Sequence, residues 1–245
     1  PFAVAIAVPA SGRASSGIHA MTTENLPVLA ILGGTGDLGT GLARRWAQAG
    51  YKVIIGSRTP EKAQAAVEDL HEVMAERGIA EVSVLAMENL AAAEAADIVT
   101  LTVPFSHQAS TLEYVKPALQ GKILIDVTVP LVPPKVARVQ LPAQGSAGQI
   151  AQELLGEEVN VVSAFQNVAA AHLQEGHGLE CDVLVCGNKK AARDEVITLV
   201  EAAGMRGFHA GMINNAAAAE ALTSVLITIN KQYGCHAGIK ISGLE

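Results

Sequence analysis

Three glycines carry the first chemical signal in the chain. Gly34, Gly36 and Gly39 stand at G-x-G-x-x-G spacing directly after the apolar run Val28–Leu32, and Leu42, Ala43 and Trp46 follow at helical intervals. In a strand–turn–helix context each glycine has a task. Gly34 permits the tight turn, Gly36 lets a pyrophosphate approach the backbone, and Gly39 lets the helix sit close on its strand. The free N–H groups and positive dipole end of that helix then hold phosphate. The alternative, an ordinary glycine-rich turn, does not call for strand, glycines and helix in this order.

A second cluster speaks to the kind of nucleotide. Val53-Ile54-Ile55 ends in Gly56-Ser57-Arg58-Thr59, where an NAD site carries an acid for the ribose 2′-hydroxyl. Here the nearest acid, Glu61, already lies in the next helix. Ser57 and Thr59 offer hydroxyls and Arg58 pairs with a phosphate dianion, which suits NADP(H). Lys62 is counted with them in the cofactor site. Ser57 or Thr59 also serves as a cap for the helix opening at Pro60, and the two readings are compatible.

Further candidates leave later strands at the carboxyl edge, where doubly wound sheets place ligands. Val103, Pro104 and Phe105 follow the fourth strand, with Phe105 able to pack on a heterocycle or simply fill the core. His107 reads as a helix-start polar group. Asp126 ends the fifth strand and reads as a loop tether rather than a base. Val129, Pro130 and Leu131 follow it, and Phe165, Gln166 and Asn167 leave the sixth strand with one flat and two polar surfaces for a heterocycle. Together they bound an acceptor cleft. The histidines lack ligand spacing, so no metal site is expected. No Ser-His-Asp, Cys-His or Tyr-x-x-x-Lys arrangement emerges, and no catalytic side chain is assigned. That absence suits direct hydride exchange between two bound cofactors, in which positioning supplies the rate.

The elements that must hold these residues alternate. Strands are expected at 27–33, 52–56, 82–86, 97–103 and 122–127, with helices at 38–49, 60–77, 88–95 and 107–119. This repetition predicts an α/β, Rossmann-type doubly wound parallel sheet. Pro130, Pro133, Pro134 and Pro142 break the next segment. Beyond it come a helix at 146–155, strands at 159–163 and 181–186, and helices at 189–203 and 215–229. The expected organisation is a nucleotide-binding domain over 21–145 and a smaller C-terminal α/β domain over 146–245, for substrate and dimerisation. Residues 1–20 differ in character and read as a leader or a cloning remnant ahead of Met21, upstream translation being favoured over a cleaved export signal.

Composition narrows the partners. A net charge of −7 disfavours nucleic acid and anionic membranes, and no apolar stretch is long enough to span a bilayer. Aromatics are only 3%, as suits a Val/Ile/Leu sheet under alanine-rich helices. Three cysteines without C-x-x-C spacing point to a reducing compartment, the cytoplasm.

With these residues in view, the chain resembles the coenzyme F420-dependent NADP oxidoreductase family. The shared stretches are GGTGDLGTGLARR (33–45), IIGSR (54–58), LTVPF (101–105), VVSAFQNV (161–168), CDVLVCG (181–187), AEALTSVLITIN (219–230) and GIKISGL (238–244). The resemblance implies F420 bound between a Rossmann domain and a small C-terminal domain, a homodimer, and hydride transfer between nicotinamide C4 and deazaflavin C5. Carried over by motif, Thr35, Gly36, Asp37 and Leu38 line the pyrophosphate, and Ser57 and Arg58 the 2′-phosphate. Pro104 and Phe105 then lie near the nicotinamide, and 163–167 near the deazaflavin. Where archaeal members carry a histidine after Ser-Ala-x, this chain has Gln166. The alternatives are an NADPH-dependent reductase of another pterin-like carrier or an imine, and a non-catalytic NADP(H) sensor on the same fold.

Overall fold

A computed structural model describes residues 26–79, 81–175 and 179–243. The leader expected at 1–20 lies outside the described residues. The chain opens with β1 (Leu29–Leu32), α1 (Asp37–Gln48), β2 (Val53–Ser57), α2 (Pro60–Glu76), β3 (Val84–Glu88) and α3 (Asn89–Ala95). Next come β4 (Ile98–Leu101), α4 (Gln108–Val115) and β5 (Ile123–Asp126). The remainder forms α5 (Ala147–Leu155), β6 (Asn160–Ser163), α6 (Ala170–Gln174), β7 (Asp182–Gly187), α7 (Lys190–Ala202), β8 (Arg206–His209) and α8 (Ala216–Tyr233).

All eight strands join one sheet in the order β3-β2-β1-β4-β5-β6-β7-β8. The first six pair in parallel, as βαβ crossovers require. The switch in strand order lies between β1 and β4, so a crevice opens beyond their carboxyl ends. Every residue of β1 is buried, and successive side chains serve opposite layers. Leu29 and Ile31 pack with Trp46 of α1, Leu70 of α2 and Leu199 of α7. Ala30 and Leu32 pack with Ala92 of α3, Leu112 of α4 and Ala151 of α5.

The structure departs from the strand pattern in several places. β7 runs antiparallel to β6 through two residue pairs, Val162↔Gly187 and Ser163↔Cys186, whereas β8 is parallel to β7. The sheet is therefore mixed, and the C-terminal elements extend the same sheet. β8 (RGFH) lacks an apolar run because it is a partly exposed edge strand, and α6 is a five-residue helix; neither leaves a periodic trace. The helix expected at 107–119 divides into a 3₁₀ turn at Phe105–His107, α4, and a second 3₁₀ turn at Lys116–Leu119. Pro117 has no N–H to donate and its ring crowds the preceding turn, so the α-helix stops at Val115. The proline-rich stretch between β5 and α5 contains no helix or strand. It lies against α8 through bonds donated by Ser224 Oγ to Val136 O (2.9 Å) and Thr228 Oγ1 to Ala137 O (3.4 Å).

Candidate functional site

The glycine-rich turn is built by close contacts that side chains would block. Gly33 takes the left-handed conformation (φ +67°), and a Cβ there would meet Val103 Cγ1 at 2.5 Å. The left-handed residue of the turn is thus Gly33, one position before the glycine expected to make it. Gly34 lies against β1, donates to Gly56 O (3.0 Å), and would bring a Cβ to 2.7 Å from Ile31 O. A Cβ on Gly39 would come within 2.6 Å of Gly34 Cα, so helix and turn touch backbone to backbone. Gly36 differs: nothing lies within 4 Å of its absent Cβ, and no side chain caps α1. The first N–H groups of α1 therefore face open space next to a backbone that a phosphate can approach.

That space is part of a cavity of about 730 Å³ running along the carboxyl edge of the sheet. At one end stand Thr35, Gly36, Leu38, Ser57, Arg58 and Lys62. Ser57 is buried, and its Oγ accepts the Thr59 N–H (3.1 Å), which shapes the turn into α2. Thr59 is the N-cap residue of α2 but makes no side-chain cap bond. At the other end stand Val103, Pro104 and Phe105 after β4, and Val129 and Leu131 after β5.

Other expected site residues lie elsewhere. Gly34 and Gly39 are buried beneath the turn, and Pro130 is buried beside its cavity-lining neighbours. Asp37 lines an adjoining cavity with Arg44 and Asp69. Phe165, Gln166 and Asn167 do not line this cavity. Phe165 is 1% exposed, adopts a positive φ of 71°, and packs edge-on against Trp46 at 6.0 Å between ring centres. The Gln166 amide donates to Asp126 O and Ser163 Oγ, both at 2.8 Å. The Asn167 amide donates to Ala219 O (2.8 Å) and Thr223 Oγ1 (3.3 Å). The N–H groups expected to meet a heterocycle rim instead tie the β6 exit to β5 and α8.

The lining also includes Asn89, Ser106 and Thr111, which no sequence motif marks, while Thr102 and Thr128 belong to the strand exits expected at this edge and His107 reads from sequence as a helix start. The carboxyl-edge rule was applied to the exits of β4, β5 and β6. Extending it to the exit of β3 reaches Asn89.

Beneath the cavity floor is a buried polar network. Asp126 Oδ1 accepts the Thr128 N–H (2.8 Å) and Oδ2 accepts from Gln108 Nε2 (2.6 Å). The same nitrogen lies 3.0 Å from Thr128 Oγ1 and 2.9 Å from Ala147 O. Burial pushes the Asp126 carboxyl up from the usual range, and it holds the loop without reaching the cavity. Glu220 of α8 accepts the N–H groups of Ala147 (2.7 Å) and Gly148 (3.0 Å), satisfying the start of α5. Burial, with a smaller contribution from Asp126, pushes Glu220 up to about 8. Burial likewise raises the Cys186 thiol to about 11, so it stays protonated at neutral pH. No group of metal-ligating side chains occurs among the described residues, and none of their helices is long and apolar enough to cross a membrane.

The switch-point cavity, the bare helix start and the donors beyond β2 define a Rossmann-type dinucleotide-binding protein. Comparison with known proteins makes the assignment particular: the chain belongs to the coenzyme F420-dependent NADP oxidoreductases. Residues 28–130 match the family described as NADP oxidoreductase, coenzyme F420-dependent. The chain is 41% identical to the F420-dependent NADP reductase of Methanocaldococcus jannaschii, over 89% of this chain and 99% of that one. It is 40% identical to the enzyme of the same name from Methanothermobacter marburgensis, over 88% and 98% of the two chains. A crystal structure from Arthrobacter sp. FB24, provisionally assigned as an F420-dependent NADP reductase, superposes with a TM-score of 0.73 at 28% identity. It covers 88% of this chain and 99% of that one.

Proposed function

We propose that this protein transfers hydride between NADP(H) and coenzyme F420, with the nucleotide along the β1–β2 edge and the deazaflavin against the β5 exit. One observation carries the reading: a single cavity joins a donor-lined end at Ser57, Arg58 and Lys62 to a largely apolar end at Pro104, Phe105, Val129 and Leu131. The first end matches a 2′-phosphate and the second a pair of stacked heterocycles. Gly36 and the uncapped start of α1 fit the pyrophosphate between them. Asp37 is the first residue of that helix.

When bound, the two cofactors would supply the redox chemistry, a hydride exchange between nicotinamide and deazaflavin. The chain's residues bind and align. Arg58 and Lys62 neutralise phosphate charge, and the N–H groups of the α1 start hold the diphosphate. Pro104, Phe105 and Leu131 exclude water from the reacting faces, so alignment carries the rate enhancement. Asp126, Phe165, Gln166 and Asn167 act from beneath, fixing the loops that carry the walls. In this reading residues 21–145 bind nucleotide and 146–245 complete the acceptor side. α8, which leaves Val225 and Tyr233 exposed, supplies a homodimer face. The three free thiols suit the cytoplasm.

The deciding experiment mixes the purified protein with NADPH and F420 and follows the deazaflavin absorbance. Catalytic bleaching is expected, with little turnover on NADH. Tight NADPH binding without bleaching refutes the reading and favours a nucleotide sensor; sedimentation tests the dimer.

A further inference from the structure

The buried side chain of Asn89 has work that the nucleotide reading leaves undone. It is the first residue of α3, immediately after β3, and is 2% exposed. Its Oδ1 accepts the Gly33 N–H at 3.3 Å. That N–H can only donate, so the bond fixes which way the amide points and leaves Nδ2 on the other side. Nδ2 has no hydrogen-bond partner among the described residues, yet it is not sealed from solvent, and Asn89 lines the nucleotide cavity. A buried amide with two free N–H groups costs stability unless something outside the chain accepts from it.

Its position says what that acceptor is. Ser57 of β2 pairs with Glu88 of β3, so Asn89 emerges beside Ser57 and Arg58. A Cβ on Gly56 would come within 2.9 Å of Asn89 Oδ1, so the glycine before Ser57 makes room for this amide. Glu88, the acid paired with Ser57, is turned away. Glu88 Oε2 caps α3 by accepting the Leu90 N–H (2.8 Å) and also accepts from the Tyr114 hydroxyl (3.3 Å), and Glu88 does not line the cavity. Ser57, Arg58, Lys62 and Asn89 thus offer hydrogen-bond donors with no carboxylate among the cavity-lining residues.

We propose that Asn89 is a specificity-determining residue: its Nδ2 donates to the 2′-phosphate of the adenosine ribose while its Oδ1 holds the glycine-rich turn, so one amide joins turn and cofactor choice. The proposal rests on the NADP(H) reading above and adds a residue to it.

Asn89→Asp separates the two duties, because it keeps an acceptor for Gly33 N–H and replaces the donor with an anion. Dissociation constants for NADPH, NADH and adenosine 2′,5′-bisphosphate are measured for wild type, Asn89→Asp and Asn89→Ala, with melting temperatures as a check on folding. Loss of the turn bond weakens NADPH and NADH alike, so the readout is the NADPH/NADH affinity ratio. It should fall about ten- to a hundredfold in Asn89→Asp and about three- to tenfold in Asn89→Ala, with the bisphosphate following NADPH. Should Asn89→Asp fold poorly, Asn89→Ala carries the test alone. A ratio within twofold of wild type in the folded variants, including an equal loss for both nucleotides, overturns the assignment. A wild-type protein without preference for NADPH overturns the underlying nucleotide reading instead.

Discussion

Adding one methyl group at Gly36 or at Gly39 should separate binding from folding within the same motif. At Gly39 the new Cβ would lie 2.6 Å from Gly34 Cα and 2.8 Å from Gly34 O, both rigid backbone atoms. Ordinary contact needs close to an ångström more, so α1 must retreat from the turn, straining the Gly34 N–H bond to Gly56 O. Overpacking of this kind costs about 1–3 kcal/mol. At about 2–4 °C per kcal/mol for a chain of this size, Gly39→Ala should lower Tm by about 2–12 °C. Gly36 has φ −86°, which alanine adopts freely, and nothing within 4 Å of its Cβ. The weaker N-cap quality of alanine is offset by its smaller unfolded-state entropy, leaving Tm within about 2 °C of wild type. The methyl group does, however, stand where a pyrophosphate must approach, so NADPH affinity should fall at least about tenfold, on the order of 1.4 kcal/mol. Thermal melts with and without NADPH, backed by calorimetric titration, read both effects. Normal NADPH affinity in Gly36→Ala would refute the placement of the diphosphate, and an unchanged Tm in Gly39→Ala would refute the packing argument.

Three further outcomes are expected. Arg58→Ala should weaken NADPH about ten- to a hundredfold and leave NADH nearly unchanged, since a charge-assisted phosphate contact is worth about 1.5–3 kcal/mol; equal losses by fluorescence titration would make Arg58 structural. Glu220, pushed up to about 8 by burial, keeps its proton in the folded chain near neutral pH while the unfolded chain, with an ordinary carboxyl, releases it. Its contribution to stability is therefore fully present below about 4.5, declines as pH rises towards 8 and is lost above it. Glu220→Gln should flatten that part of the Tm–pH curve, and curves that stay parallel between pH 5 and 8.5 would show that Glu220 is ionised throughout. Trp46→Phe removes the indole bond to Leu199 O (2.8 Å) and part of the contact with Phe165, and should cost about 1–3 kcal/mol by denaturant titration without changing NADPH affinity in the folded protein.

Local signals were enough for the nucleotide half. A βαβ unit is written in neighbouring residues: the apolar run of β1, the glycines, and the apolar stripe of α1 occupy little more than twenty positions. The donors that follow β2 were legible for the same reason, because Ser57 and Arg58 stand at its end where an acid could have stood. The acceptor side was harder. Ser163-Ala-Phe-Gln-Asn has the residue types of a binding loop, but which neighbours claim its side-chain amides depends on elements up to 56 positions away in sequence. Asp126 O and Ser163 Oγ take the Gln166 amide, Ala219 and Thr223 of α8 take that of Asn167, and a sequence pattern has no term for that competition.

By itself, then, the order of residues determined the alternating α/β class, the glycine-rich strand–turn–helix and the donor-bearing end of β2, since strand period, helix stripe and glycine spacing are short-range properties. Tertiary structure alone decided that β7 turns antiparallel through two residue pairs, and that Gly33 is the left-handed residue of its turn, pressed against Val103 just beyond β4. It also decided that Asn89, one residue past β3, reaches under Gly56 to the cavity while Phe165 turns inward against Trp46. Each of these depends on which distant backbone or side chain occupies the adjoining space, and close packing between separate elements settles that only when the sheet is assembled.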